Sequence, residues 1–470
     1  MKKAVFSILA VMILFLTACS KSDQHVTVSQ QQFTSGTDVQ SGDTLNSKNG
    51  SSNRAIAGTL KAGQTYYLSS DHGDATINTG DTLTIQSGVT IYIIGPSTGQ
   101  TSIGTQDHAP GIVVNGTLLS LGTKDAPILV TVQDPALRSN PALDPQNPST
   151  DPAFKGYWGG IQGGTQSGNV ILKWTRLEYL GGLTPSNAPV RATLQRYGVW
   201  MQNPNANLVV EDCWLYGSAN DCLRPAGCKF EILRNTFEKV GITAGECVNV
   251  KSGSVGDIAF NVVVGGTGNA FKSANAGGLS PQANMNCYNN TILTTGYRQL
   301  KVGEGGSLDF ESDGRGNCYN NLLVNCKFGL GITGASSATA AADTANVHYG
   351  YTYNYGDSSF ITRQFLPAGY ITAAQPGDIN GGNATVPGAN NPMFVGYSLP
   401  VVAGINFIEA DYAGTYNFRL QPGSPAIGKG YTGFTAYGSV PVDPVFGVTQ
   451  LSQPGKDMGA YQTDGSGNQH

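Results

Sequence analysis

Between residues 207 and 329 short apolar runs return at nearly regular intervals, each broken by Asn or Gly. The lines are NLVVEDCWLYGS (207–218), KFEILRNTFEKV (229–240), DIAFNVVVGG (257–266), NCYNNTILTT (286–295) and NCYNNLLVNC (317–326). The last two are near copies. Superposed, they place Asp212, Asn235, Asn261, Asn290 and Asn321 in one column, with spacings of 23, 26, 29 and 31 residues. That is the spacing of a solenoid with loop insertions. Each line is a β-branched and aromatic run that meets a tight turn. No amphipathic helical segment separates the lines. The pattern predicts a parallel β-helix, whose coils bury their apolar faces only by stacking. A buried turn Asn then has a reason to recur, because its side chain bonds the backbone of neighbouring coils.

The flanks extend the same reading. TYYLSS (65–70), DTLTIQSGVTIYIIG (81–95) and GIVVNGTLLSLG (111–122) alternate with Gly turns and are expected to cap and start the coil, closing an otherwise unpaired edge. Residues 134–152 carry too many prolines for a sheet and read as a surface loop. YWGGI (157–161) and NVILKWTRLEYLGG (169–182) add another turn of strands. Trp158 and Trp174 are read as packed inside the coil or under a loop rather than as sugar platforms. Residues 335–415 lose the periodicity, and YGYTYNYG (349–356) reads as a tyrosine-rich turn over the open end. FRLQPGSPAIG (418–428) is expected to give a closing strand and turn, and Ala460–Gln462 a last short strand.

Composition changes the picture at the N-terminus. Lys2 and Lys3 precede an apolar run, Ala4 to Leu16, too short for a permanent membrane span. Residues 1–19 are read as a secretory signal. LTAC (16–19) resembles the lipobox of bacterial lipoproteins, which implies lipidation of Cys19 and attachment to a membrane. Ser20 to Asp23 resemble the surface-export signal of Bacteroidetes lipoproteins, which implies an outer-membrane location facing outward. Residues 20–55 are polar and Gly-rich, a flexible tether, and 56–465 form the folded body. Only 12% of the chain is charged, with 63 Gly, 21 Tyr and a net charge of −4. Without a basic cluster there is no electrostatic footprint for nucleic acid. Seven cysteines follow Cys19, an odd number. Cys287 and Cys318 share a rung position and are expected to stack as small apolar groups. No Cys/His spacing suggests zinc.

The TLTIQSG opening (82–88), the YWGGI turn, the NNTI and NNLL rungs and the ending SPAIGKG (424–430) with DMGAYQ (457–462) together resemble right-handed parallel β-helix lipoproteins of Bacteroidetes, within the pectate-lyase-like superfamily. The resemblance covers most of the body. It implies an all-β, right-handed parallel β-helix with an N-terminal cap and irregular C-terminal loops. It says little about chemistry, because this architecture carries lyases, hydrolases, adhesins and binding proteins.

Candidate chemistry lies on outward positions of successive coils. In ECVNVKSG (246–253), inward Val248 and Val250 leave Asn249 and Lys251 outside. NAFKSANAGG (269–278) repeats the Lys-Ser pair, which predicts Lys272 beside Lys251. In GSLDFESDGRG (306–316), inward Leu308 and Phe310 leave Asp309 and Glu311 outside, with Tyr297, Arg298, Lys301 and Glu304 just before and Asp313 and Arg315 just after. Three readings stay open. The favoured one is a polysaccharide bound along the lateral face, with Lys272, Lys301, Glu304 and Asp309 as ligand-binding candidates. The second is a lyase or hydrolase for uronate-containing glycan. Lys251 or Arg298 would then be the base, Glu311 a further catalytic candidate, and Asp309, Glu311 and Glu304 a calcium cradle. The known signatures do not back it: the acidic cluster of pectate lyases and the paired aspartates of polygalacturonases are absent, and of the alginate and dermatan lyase pattern only Glu246 and Lys-Ser remain. The third is a structural or adhesive spacer whose charges neutralise one another across coils.

Overall fold

The computed structural model of the chain describes residues 37–47, 54–95, 109–138, 150–184, 194–336, 340–401 and 416–470. The described chain is a right-handed parallel β-helix. Its coils feed three all-parallel sheets, of eleven, ten and nine strands among these residues. One coil shows the plan. Lys229–Leu233 lies in the eleven-stranded sheet, Thr236–Val240 in the ten-stranded sheet and Val248–Val250 in the nine-stranded sheet. Val255–Ala259 then returns to pair with Lys229–Leu233, one coil further on.

Alternation along each strand sends every second side chain inward, and register stacks like on like. Leu83, Leu118, Val170, Leu208 and Phe230 form one such file, fully buried. All seven cysteines after Cys19 are buried free thiols, and Cys287 lies directly over Cys318 as expected.

The bend between the eleven- and ten-stranded sheets carries the repeat seen in the sequence. Asp212, Arg234, Phe260, Asn289 and Asn320 each take a left-handed conformation there, with φ between 52° and 60°. Such a residue without a glycine costs roughly 1–2 kcal/mol. The next residue offsets it. Asn235, Asn261 and Asn290 each accept, on Oδ1, the backbone N–H of the coil before, at 2.8–2.9 Å, and Asn321 does so at 3.1 Å. Their Nδ2 groups donate to Val210, Ile232, Ile258 and Cys287 carbonyls at 2.8–3.0 Å. The ladder is therefore as expected for four of its five members. Asp212 is the exception: Glu211 pairs with Leu233, so Asp212 falls on Arg234 and Cys213 takes the column. Its carboxylate is drawn instead to the Arg234 guanidinium, with Nε to Oδ1 at 2.8 Å.

The ends depart from the expectation. Thr37–Asp38 already pairs with Ile56–Leu60, and Leu45 and Asn46 are fully buried. Asn46 uses the same device as the ladder, bonding both the N–H and the carbonyl of Ser69 at 2.8 and 2.7 Å. So part of the stretch assigned to the tether is the first winding of the body; polar composition concealed it, since two apolar residues, Val39 and Leu45, suffice to seat it. Residues 1–19, with Cys19, lie outside the described residues. At the other end YGYTYNYG continues the coil, with Val347–Gly350 and Tyr353–Tyr355 as the last strands of two sheets. The closing segment is irregular: Leu420 makes one bridge to Phe394, and Tyr461 one to Gly467.

Residues 430–470 form a strap along the outside of that bend. It descends from Tyr431, whose N–H donates to Asn320, to Asp443 and Pro444, whose carbonyls accept from Lys173 Nζ. It climbs back to Gly459 at Asn320, then descends again to Asn468, over Asn235 and Phe260, and to His470, whose ring lies 5.5–5.6 Å from those of Trp214 and Trp174, tilted by 30–31°.

Candidate functional site

The strap leaves the nine-stranded sheet free, and there the outward side chains line up. Trp200, Arg224, Asn249, Lys272, Asp309 and Gly331 follow one another on adjacent coils. Five strand spacings of about 4.8 Å make this row about 24 Å long. Aromatic rings close both ends. Arg224 lies over the Tyr197 ring at 4.2 Å, beside Trp200, and Tyr370 lies flat on Gly331. A Cβ at Gly331 would meet that ring at 2.6 Å, so the absence of a side chain there lets the tyrosine seat itself.

Alternation places the charges as the sequence predicts: Val248, Val250, Leu308 and Phe310 point in and are buried. Lys272, however, stands over Asn249, not beside Lys251. The two Lys-Ser pairs look equivalent in sequence, but Phe271 stacks on Val248, which displaces them by two residues. Lys251 belongs to the next row along the strand, with Ala274 and Glu311.

Lys272 is the hub. Its Nζ lies 2.8 Å from Glu311, 3.7 Å from Asp309 and 4.0 Å from Glu246. Beyond Glu246, the Asn249 Nδ2 bridges Glu246 Oε2 and Asp221 Oδ2, both at 3.0 Å, and Arg224 reaches the same Asp221 oxygen at 2.5 Å. Asp221 and Asp309 are almost wholly buried, with side chains 3% and 5% exposed. One oxygen of Asp309 and the amide oxygen of Asn249 have no hydrogen-bond partner among the described residues. Buried acceptors left so are costly unless a ligand or water meets them.

Burial and crowding set the protonation states. Burial, then the charge and hydrogen bond of Asp221, push Glu246 up to about 8. Burial raises Asp309 to about 7 against the pull of Lys272, with Glu311 and Glu304 adding to the rise. Burial, then the charges of Arg224 and Lys272, bring Lys251 down to about 8. Burial opposes Lys272 as well, but Glu246, Asp309 and Glu311 outweigh it and hold its ammonium charged. Burial also works against the Asp221 carboxylate, yet Arg224 and the hydrogen bonds from Glu246 keep it below the usual range. Three groups that exchange a proton near neutral pH thus share one patch, a concentration typical of functional sites.

The other sequence candidates lie elsewhere. Arg298 turns its guanidinium to backbone, with Nη2 at 2.7 Å from the Gly265 carbonyl and 3.2 Å from those of Val240 and Gly241, and packs over Phe154. It clamps turns of the coil and is no base for this site. Lys301 and Glu304 pair with each other at 3.3 Å in an exposed loop, 72% and 42% exposed. Calcium does not fit the Asp309, Glu311 and Glu304 set. The Lys272 ammonium occupies the place a cation would take between Asp309 and Glu311, and among the described residues no three His, Cys, Asp or Glu side chains converge as a ligand set. Trp158 is buried with its Nε1 donating to Glu178, consistent with the packing role. Sequence reading missed Asp221, Arg224, Tyr197 and Trp200 as site members. The signal was present: Leu223–Pro225 is one coil before 248–250, with the same inward-outward-inward alternation.

Among the described residues, cavities of about 300–580 Å³ lie away from this face. One of about 300 Å³ is lined by Trp174, Arg176, Trp214 and His470, beneath the strap. The nine-stranded face is a row rather than a hole, a shape suited to an extended ligand. Comparison of the chain with known protein families, with characterised proteins and with solved structures returns no match.

Proposed function

We propose that the nine-stranded face binds a polysaccharide, with the body held at the outer membrane by a lipid on Cys19. The single observation that carries the reading is the row from Trp200 to Tyr370: an aromatic ring at each end and, between them, charged and amide side chains with unmet acceptors. Sugar rings offer apolar faces to aromatic residues and hydroxyls to such groups, and a stack of coils offers a straight track for a polymer. Arg224 and Lys272 are the groups assigned to hydroxyl or carboxylate contact, with Asn249 and Asp309 between them. Affinity electrophoresis of the protein through gels containing uronate or neutral polysaccharides tests this. Retardation by at least one polymer, lowered about tenfold or more in affinity by Lys272→Ala and by Arg224→Ala, is the expected result. No retardation in any gel would leave the face as a spacer.

One observation favours a second reading, a polysaccharide lyase. Lys251 forms no ion pair within 4 Å among the described residues, and its amine loses its proton near pH 8. An amine that gives up its proton near pH 8, in a patch with a Glu246 carboxyl that holds one to about the same pH, has the equipment for abstracting a proton and returning one. Incubation with uronate polymers and detection of unsaturated product decides between the two: product formation abolished by Lys251→Ala replaces the binding reading.

A further inference from the structure

Around the corner from the row, at the start of Gly316–Tyr319 in the eleven-stranded sheet, lies a small cavity of about 160 Å³. Arg315, His348, Asn284, Asn317, Asn346 and Tyr437 line it. Its volume is on the order of five waters, room for a single small polar molecule rather than a polymer. The lining contains two side chains able to carry positive charge, three amides and a phenol, and no carboxylate. Two acids bond the lining and both are engaged: Asp343 by Asn346 Nδ2 at 2.8 Å and Gln282 Nε2 at 3.2 Å, and Asp257 by Asn286 Nδ2 at 2.9 Å and the N–H groups of Tyr437 and Gly438 at 3.1 and 2.8 Å.

Arg315 is the anomaly. Among the described residues its guanidinium makes no ion pair and no hydrogen bond, and its Nε is buried without a partner. Other arginines of the coil have found acceptors: Arg196 holds Asp74, Arg224 holds Asp221 and Arg234 holds Asp212. The local backbone fixes the orphan in place. Arg315 donates its N–H to Ala283, accepts from Met285 and follows a left-handed pair, Ser312 and Asp313, that turns the chain between sheets. Tyr437, from the strap, braces the opposite wall by donating to Asn284 Oδ1 at 2.6 Å, which leaves Asn284 Nδ2 as a second donor, with no hydrogen bond among the described residues. A planar fork whose terminal nitrogens make no hydrogen bond among the described residues, flanked by a further amide and an imidazole, matches the two oxygens of a carboxylate.

We infer that this cavity is a binding site for the carboxylate of a sugar acid, separate from the row on the nine-stranded face. The ligand is a uronic acid residue, free or at the end of a chain, with its carboxylate bidentate on Arg315 and its hydroxyls toward Asn317, Asn346 and His348.

Isothermal titration of the full chain with D-glucuronate tests it, with D-glucose and inorganic sulfate as comparison probes. Glucuronate should bind, glucose should not, and Arg315→Gln should weaken glucuronate at least tenfold. Arg315→Lys should recover part of the loss, since it restores the charge but not the fork. Asn284→Ala, which leaves the arginine intact, should weaken binding by a smaller factor and guards against a folding defect in the Arg315 variants. Sulfate competing with glucuronate at equal affinity would replace the carboxylate assignment with a general oxyanion site. Glucuronate binding that survives Arg315→Gln, or no glucuronate binding at all, overturns the inference. Loss of polymer retardation in the Lys272 variants would leave this result standing, because Arg315 is not part of that row.

Discussion

Two faces of the same coil carry outward acids, and they handle them in opposite ways. On the eleven-stranded side Glu211, Glu231 and Asp257 are sealed by the strap. Thr449 donates its N–H to Glu211, Ser439 both its N–H and its hydroxyl to Glu231, and Tyr437 and Gly438 their N–H groups to Asp257. The neighbouring Arg234 joins Glu211 and Asp212 to Ser452 of the strap. On the nine-stranded side Glu246, Asp309 and Glu311 meet, among the described residues, Lys272, side-chain amides and, for Glu246, Asp221, and acceptors remain unmet. Burial alone does not separate the faces, because Asp257 and Asp309 are both nearly inaccessible. Closure does. Where the chain provides the partners, the acids hold a segment in place; where it does not, acceptors stay unmet.

The largest effect is expected on the sealed side. Arg234→Ala would take the bonded cation from buried Asp212 and leave Glu211 with Lys173 and Thr449, and a loss of about 3–5 kcal/mol is expected. Urea unfolding checks it; a loss below about 1 kcal/mol would mean that the strap side is no more firmly closed than the open one. Next comes the ladder beneath the same bend. Asn290→Leu leaves the Asn261 N–H and the Ile258 carbonyl without their side-chain partner. About 2–4 kcal/mol should follow, read as a lower melting temperature.

The prediction that sharpens the contrast lies on the open face. The folded protein holds a proton on Glu246 up to about pH 8, whereas the unfolded chain releases it near 4.5. Between those values the native state binds more protons, so stability falls as pH rises through this window. Glu246→Gln removes that fall. The difference in stability between variant and parent should grow in favour of the variant from pH 5 to pH 8 and level off above. A flat difference across that range would show Glu246 ionised throughout, and the open face would then be electrostatically no different from an ordinary solvated ladder.

Much of the fold is visible in the residues alone. The Asn steps and the alternation about Val248, Leu308 and Phe310 follow from local rules: one turn type per bend and one inward side chain in two. Those rules act within a strand, and so does the choice of which charges face outward. The stacking register is different. It is chosen by how neighbouring coils pack, Phe271 on Val248 and Leu233 on Glu211, and this moved Lys272 onto Asn249 and Asp212 out of the Asn column. The cap around Asn46 and the strap were hidden for the same reason: each is a polar, weakly periodic segment whose partners lie on coils distant in sequence. Arg298 shows the limit most clearly. Its charge and its place in the chain suggested catalysis, and only the proximity of three backbone carbonyls from other turns showed that it holds the coil together.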